Sequence, residues 1–354
     1  MSRKRWAAWA AALVLAAGGT ALVADPAGAA VPDRFGFALW YGGAVSQAYP
    51  PATSVSPLTP GRWMVKFPGQ GIAGGVVHVT AVQDALSSPP GRFCQAEKWG
   101  PDSSVPPNEI VYVSCWRTTN VLDPLPGFSV QFARSSGAIG GGLYGYMFND
   151  AGCAIITNYT TLGFGTTCTH VGLGQYAIGF TGLGSAGPQD GGIQVTAVNS
   201  SAGARCKPVS WQSSPNGQFF KIWCFNAAGA FTDNAFTSTY QLKRSLYGPA
   251  FPPNRFGYVW DMPGAGPPST NFNSIAGSNG VGGGAPVWTI KYYSLAASLP
   301  GNAQVTAYGP NNFFCGLHKP WFTAGTDIVA QINCFDAAGN PVAAGWTSSY
   351  SSQV

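Results

Sequence analysis

Charge is what this sequence has least of. Asp, Glu, Lys and Arg together supply 9% of its 354 residues, against roughly 25% in ordinary soluble domains. The 18 basic and 13 acidic residues are scattered. No basic cluster of the kind a nucleic-acid footprint requires can be found, so nucleic acid is excluded as a partner. Histidine occurs three times, as His78, His170 and His318, and none keeps register with the cysteines. With no C-x-x-C either, the pattern offers no metal site. Glutamate beyond the first 30 residues is limited to Glu97 and Glu109, thin material for the paired carboxylates of a glycosidase. No G-x-S-x-G turn is present, and Gly282-Gly283-Gly284 lacks the Lys-Ser/Thr of a phosphate loop. No catalytic residue and no cofactor is therefore assigned.

A helical period is missing outside residues 1–30, and so is any later apolar run long enough to span a bilayer. Residues 1–30 carry Arg3, Lys4 and Arg5, then an Ala/Leu/Val-rich run to Ala24, then Ala27-Gly28-Ala29. That order is the signature of a secretory signal peptide with a small-residue cleavage site. The expected product is a secreted, extracellular protein with no stable membrane span.

Turn formers and apolar residues are plentiful: 48 Gly, 28 Pro, 45% hydrophobic and 13% aromatic residues. Eight cysteines, all beyond the leader, argue for disulfides in an exported chain. Their pairing follows from internal repetition. Val79-Thr80-Ala81 is followed by Cys94, Trp99 and Cys115; Val195-Thr196-Ala197 by Cys206, Trp211 and Cys224; Val305-Thr306-Ala307 by Cys315, Trp321 and Cys334. The expected bridges are Cys94–Cys115, Cys206–Cys224 and Cys315–Cys334, with the unmatched Cys153 and Cys168 joined to each other. A bridge closing a loop of about 20 residues is worth on the order of 3 kcal/mol in the chain-entropy model.

The repetition divides the chain into 31–136, 141–245 and 254–354. Each part opens on an alternating aromatic strand interrupted by glycine: Phe35-Gly36-Phe37, Tyr144-Gly145-Tyr146 and Phe256-Gly257-Tyr258. A second strand alternates Trp63, Val65, Phe67, then Tyr176, Ile178, Phe180, then Trp288, Ile290, Tyr292. Period-two patterning predicts half-buried strands, with each glycine admitting a close neighbour or marking a bulge. Six strands in about 100 residues predict an all-β chain of three tandem antiparallel sandwiches or small barrels, laid in a row. A propeller-like closed array is the alternative. Ala44–Pro60 and Gly264–Pro286 read as long loops between the first two strands, where binding or mere tolerance of insertions would be found. His78, aligned with Gln194 and Gln304, reads as an exposed polar position. Trp40, Trp116 and Trp223 are not triplicated and read as surface aromatics.

Trp99, Trp211 and Trp321 are the candidate ligand-binding residues. As a flat platform they would suit sugar faces; the competing reading packs each over its disulfide. Arg34-Phe35-Gly36-Phe37, the run Gly75 to Val82 and the Cys-x4-Trp…Cys spacing resemble secreted repeat proteins of high-GC Gram-positive bacteria, a family with no assigned activity. The middle part departs most, with Leu143-Tyr144-Gly145-Tyr146 and its added cysteines. The resemblance implies export and repetition, and carries over no catalytic residue. The sequence thus reads as a non-enzymatic extracellular binding or structural module for a glycan, an envelope polymer or a protein. A secreted hydrolase with an unrepeated carboxylate site, and a protease-inhibitor-like module, are the alternatives.

Overall fold

The alternating stretches fold as strands, and among the described residues there is no helix. The structure, a computed structural model, describes residues 33–83, 91–124, 127–136, 142–185, 189–247, 255–264, 266–297 and 299–352. The leader at 1–30 and the junctions at 137–141 and 248–254 lie outside them.

A first set of strands comprises β1 (Arg34–Tyr41), β2 (Ala44–Tyr49), β3 (Ser54–Thr59), β4 (Arg62–Phe67), β5 (Val76–Val82), β6 (Arg92–Pro101), β7 (Glu109–Arg117) and β8 (Gly127–Arg134). The second comprises β9 (Leu143–Asn149), β10 (Ile155–Thr160), β11 (Thr166–Gly172), β12 (Gln175–Thr181), β13 (Gly192–Val198), β14 (Ala204–Ser214), β15 (Gly217–Asn226) and β16 (Ala235–Leu242). The third comprises β17 (Phe256–Asp261), β18 (Thr270–Asn273), β19 (Gly280–Gly284), β20 (Val287–Tyr292), β21 (Gly301–Tyr308), β22 (Phe314–Ala324), β23 (Asp327–Phe335), the two-residue β24 (Pro341–Val342) and β25 (Gly345–Ser352).

Four sheets result. The strand order β2-β1-β8-β5 recurs as β10-β9-β16-β13 and β18-β17-β25-β21; the order β3-β4-β7-β6 recurs as β11-β12-β15-β14 and β19-β20-β23-β22. Six of these strands occupy the stretches between the first two alternating strands, two of which read from sequence as long loops. Ala44–Pro60 holds β2 and β3, Gly264–Pro286 holds β18 and β19, and the Cys153–Cys168 segment leads into β10 and β11. All six lie at sheet edges and pair on one side only. An edge strand with much of its side-chain surface in water has no core face to enforce alternation, and it tolerates Pro57 or the run of glycines in β19.

Side chains from both kinds of sheet meet in one core per set. In the first, Trp63, Val65 and Phe67 of β4 and Val111 and Val113 of β7 meet Val77 and Val79 of β5 and Phe128, Val130 and Phe132 of β8. Gly36 is the point of closest approach. A Cβ there would lie 2.6 Å from the Phe67 ring; at Gly145 it would meet Leu183 at 2.7 Å and Phe180 at 3.0 Å, and at Gly257 Asn279 at 2.9 Å and Tyr292 at 3.0 Å. The glycines therefore admit the last aromatic of the second alternating stretch, the first of the two roles foreseen for them. The opening strands are not half-buried, however. Phe35 and Phe37 turn away from their own core and pack with Tyr144, Tyr146 and Tyr247 in a seam between sets.

Three disulfides, Cys94–Cys115, Cys206–Cys224 and Cys315–Cys334, each join residues directly opposite on paired strands. Cys153–Cys168 closes the added segment of the second set. Such a complement fits an oxidising compartment.

The sets do not lie in a row. Gln83 N–H donates to Leu317 O at 2.7 Å, Gly309 N–H to Pro208 O at 3.1 Å, and Asn199 N–H to Ala96 O at 2.9 Å. First is thereby bonded to third, third to second, and second to first, within one compact unit of residues 31–354. The three Val-Thr-Ala stretches repeat this cycle through their hydroxyls. Thr80 Oγ1 donates to Gln304 Oε1 at 2.7 Å and accepts from Val305 N–H; Thr306 Oγ1 donates to Gln194 Oε1 at 2.8 Å and accepts from Val195 N–H. Thr196 Oγ1 accepts from Val79 N–H at 3.1 Å and meets His78 Nδ1 at 3.3 Å. Both faces of β5, β13 and β21 are consequently buried. His78, expected in water, is 1% exposed. The face opposite the apolar core is covered by the neighbouring sets, and its Thr, Gln, Ser and Asn side chains satisfy one another there.

Candidate functional site

Of the three tryptophans considered for ligand binding, two are out of reach. Trp211 and Trp321 are 5% and 3% exposed and belong to the cores of the second and third sets. Trp211 packs at a tilt against Phe220 and Trp260, with ring centres 5.0 Å and 5.1 Å away, and its Nε1–H donates to Gln218 Oε1. These rings serve packing, and the platform reading fails for both. Trp116, expected at the surface, is buried against Phe93 and Phe335; Trp40 and Trp223 are partly exposed.

Trp99 is different. It lies near the end of β6, packed at the margin of the first core, and remains half-buried. Its Nε1–H donates to Gly74 O at 3.0 Å and its ring leans on Phe148 with centroids 4.6 Å apart, so the orientation of the ring is fixed. Glu97, Lys98, Ile156 and Thr157 join it around a surface cleft of about 270 Å³. Glu97 pairs with Arg62 at 3.0 Å. Burial raises its carboxyl above the ordinary range, opposed by the Arg62 charge and a Ser114 hydrogen bond. Lys98 holds its ammonium 4.7 Å from the Tyr112 ring centre. The cleft thus combines a rigid aromatic face, an exposed aliphatic Ile156, a hydroxyl and two charges of opposite sign. Among the described residues that line the cleft, Glu97 contributes a carboxyl group, and the arrangement can hold a ligand. Phe148, Ile156 and Thr157 come from the second set and could not be linked to Trp99 from spacing.

The remaining titratable groups are dispersed. Glu109 is 0% exposed, accepts Ile72 N–H at 3.1 Å, and burial raises its carboxyl to about 8. Asp102 nearby accepts from Ser104 and Asn108 and is held well below the usual carboxylate range by those bonds. His170 Nε2 meets Asp233 Oδ1 at 2.8 Å on the surface, beside Tyr176, whose hydroxyl is engaged by Ala151 O and Asn234 N–H. Asp233 is lowered first by Gly174 N–H and then by His170. His318 contacts Asn333. Among the described residues, no group of three or more His, Cys, Asp or Glu side chains is placed to hold a metal ion. The Gly264–Pro286 stretch, read from sequence as a long loop open to binding or to mere insertion, lines a wider cleft of about 510 Å³ with Asp261 and Trp288. No protein-family model matches the chain, nor does any curated protein or solved structure.

Proposed function

We propose that the protein is an exported, non-enzymatic binding module built from three tandem β units, and that it grips an extracellular glycan at the Trp99 cleft. The carrying observation is the Trp99 ring itself, partly open to solvent yet immobilised by Gly74 O and Phe148. A locked apolar plane with polar groups at its rim suits the mixed faces of a pyranose, because little conformational entropy is lost on binding. The recurring strand orders and the likeness to secreted repeat proteins of high-GC Gram-positive bacteria support the tandem reading, and the disulfides support export. The test is affinity for soluble cell-wall and envelope polysaccharides, by calorimetry and pull-down. Trp99→Ala is expected to weaken binding tenfold or more, measured well below its melting temperature because the ring also packs against the first core. Equal retention of both proteins on every glycan would overturn the assignment.

One observation favours a second reading as a protein-docking or inhibitor-like module. The second set exposes Ile156 on β10, Leu162 and Phe164 in the connection to β11, Val171 on β11 and Leu173 just after it, in a segment that follows Cys153 and contains Cys168. A disulfide-locked loop with apolar side chains outward is the form such modules present. Stoichiometric inhibition of one member of a protease panel, lost in Phe164→Ser, would favour it over the glycan.

A further inference from the structure

The three residues preceding the first cysteines of the repeated bridges, Phe93, Arg205 and Phe314, converge where the sets meet. The Arg205 guanidinium lies over both rings, 4.9 Å from the Phe93 centre and 4.5 Å from that of Phe314, which meet edge-on with centres 5.7 Å apart. Two residues on, along the same face of β14, stands Lys207. In the other sets the matching positions hold Gln95 and Gly316, so two cations occur here and nowhere else in the pattern. Arg205 is 7% and Lys207 3% exposed. Both border a cavity of about 50 Å³ that all three Val-Thr-Ala stretches also line.

Their hydrogen bonding is incomplete. Arg205 Nη2 donates to Asn226 O at 3.2 Å and Ala227 O at 3.1 Å, while its Nε and Nη1 are buried and meet no hydrogen-bond acceptor. Lys207 Nζ donates to Asn311 Oδ1 at 2.5 Å. Among the described residues no carboxylate forms an ion pair with either. Two like charges sharing a low-dielectric site are costly unless a counter-charge joins them. Burial, and after it the nearby Arg205 charge, press on the Lys207 ammonium and drive its pKa well down.

We propose that this cavity is a binding site for one small monovalent anion of chloride size, held between the Arg205 guanidinium and the Lys207 ammonium. Geometry and volume set the class. Roughly 10–15 Å³ of such open space suffices for one water molecule, so about 50 Å³ admits a small ion with a water or two and is too small for a sugar or a nucleotide. The spare N–H groups of Arg205 supply directed donors, and the Phe rings fix their plane. An anion there neutralises the cations while touching walls from all three sets, so it ties them together.

The test is thermal unfolding of the wild type and of Lys207→Gln, the residue present at position 95. Sodium chloride is exchanged for sodium gluconate, whose anion is too large to enter, at constant ionic strength. The expected result is a saturable rise of about 2 °C in the wild type at chloride tenfold above its dissociation constant. The rise should be reproduced by bromide and lost in Lys207→Gln. No difference between chloride and gluconate, or an equal rise in the variant, would overturn the proposal. Crystals of the wild type soaked in bromide give an answer that does not depend on the variant folding. An anomalous peak between Arg205 and Lys207 supports the site, and density there with no anomalous signal refutes it.

Discussion

Replacing His78 by Gln tests the hydroxyl cycle at its weakest member. Gln occupies the matching positions 194 and 304, where Oε1 accepts from a Thr hydroxyl of the neighbouring set and Nε2 donates onward. His78 fills the same role as a neutral ring between Thr196 Oγ1 at 3.3 Å and Thr239 Oγ1 at 2.7 Å. The matching Gln bonds assign the tautomer: Thr196 donates to Nδ1, and Nε2–H donates to Thr239. Protonation would put a second donor against Thr196 and an unpaired charge in the interior, and burial lowers the His78 pKa from 6.5 to about 3. The unfolded chain therefore binds a proton below pH 6.5 that the folded chain refuses until about pH 3. Stability is intact above 6.5 and is lost as pH falls through that window. At pH 4.5 the loss is about 2.7 kcal/mol, from two pH units at roughly 1.36 kcal/mol each. His78→Gln should be within about 1 kcal/mol of wild type at pH 7 and more stable by about 2–3 kcal/mol at pH 4.5. Urea unfolding followed by tryptophan fluorescence at pH 7, 6, 5 and 4.5 measures the difference directly. A difference curve flat across that range would refute both the burial argument and the assigned tautomer.

Glu109 should produce the opposite trend. Its buried carboxyl is raised from 4.5 to about 8, so its stabilising contribution is complete below pH 4.5 and is lost as pH rises through 8. The loss amounts to several kcal/mol, with about 5 kcal/mol the upper bound. Glu109→Gln should flatten the decline between pH 5 and pH 8.5 in the same urea assay, and an unchanged slope would count against it. Gly36→Ala places a methyl 2.6 Å from the Phe67 ring and should cost about 1–3 kcal/mol by overpacking, seen as a lower melting temperature. No loss there would mean that the β1–β4 contact yields easily.

Much of the scaffold was legible because the succession Val-Thr-Ala, Cys, Trp, Cys occurs at three places in the sequence. Gly229 and Gly339 turn the chain at φ 87° and 88°, and Asn120 takes the same place in the first set at φ 60°. Trp63, Val65 and Phe67 and their counterparts are buried as their alternation requires. Edge strands escaped detection because water on one side removes the pattern. The placement of His78 escaped for a different reason. Polarity in a strand ordinarily signals solvent, and a single sequence gives no sign that polar faces will be buried against one another. The Trp99 cleft was half legible: the ring was singled out, but Phe148 and Ile156 reach it only through the contact between the first and second sets. Trp211 and Trp321 carry the same motif into a closed core, so equal spacing did not mean equal exposure.

The cyclic bonding has a consequence for self-association. Each set presents a donor side, with a Thr hydroxyl and an edge N–H, and an acceptor side, with a carbonyl and a Gln or His; the two sides differ, as in a head-to-tail oligomer. Interfaces of that kind build filaments when they fail to close and rings when they do. Closure after three members consumes both sides of every set and leaves no adhesive end. A chain shortened to two sets would expose one side of each kind, which makes polymerisation the characteristic hazard of truncation in this fold.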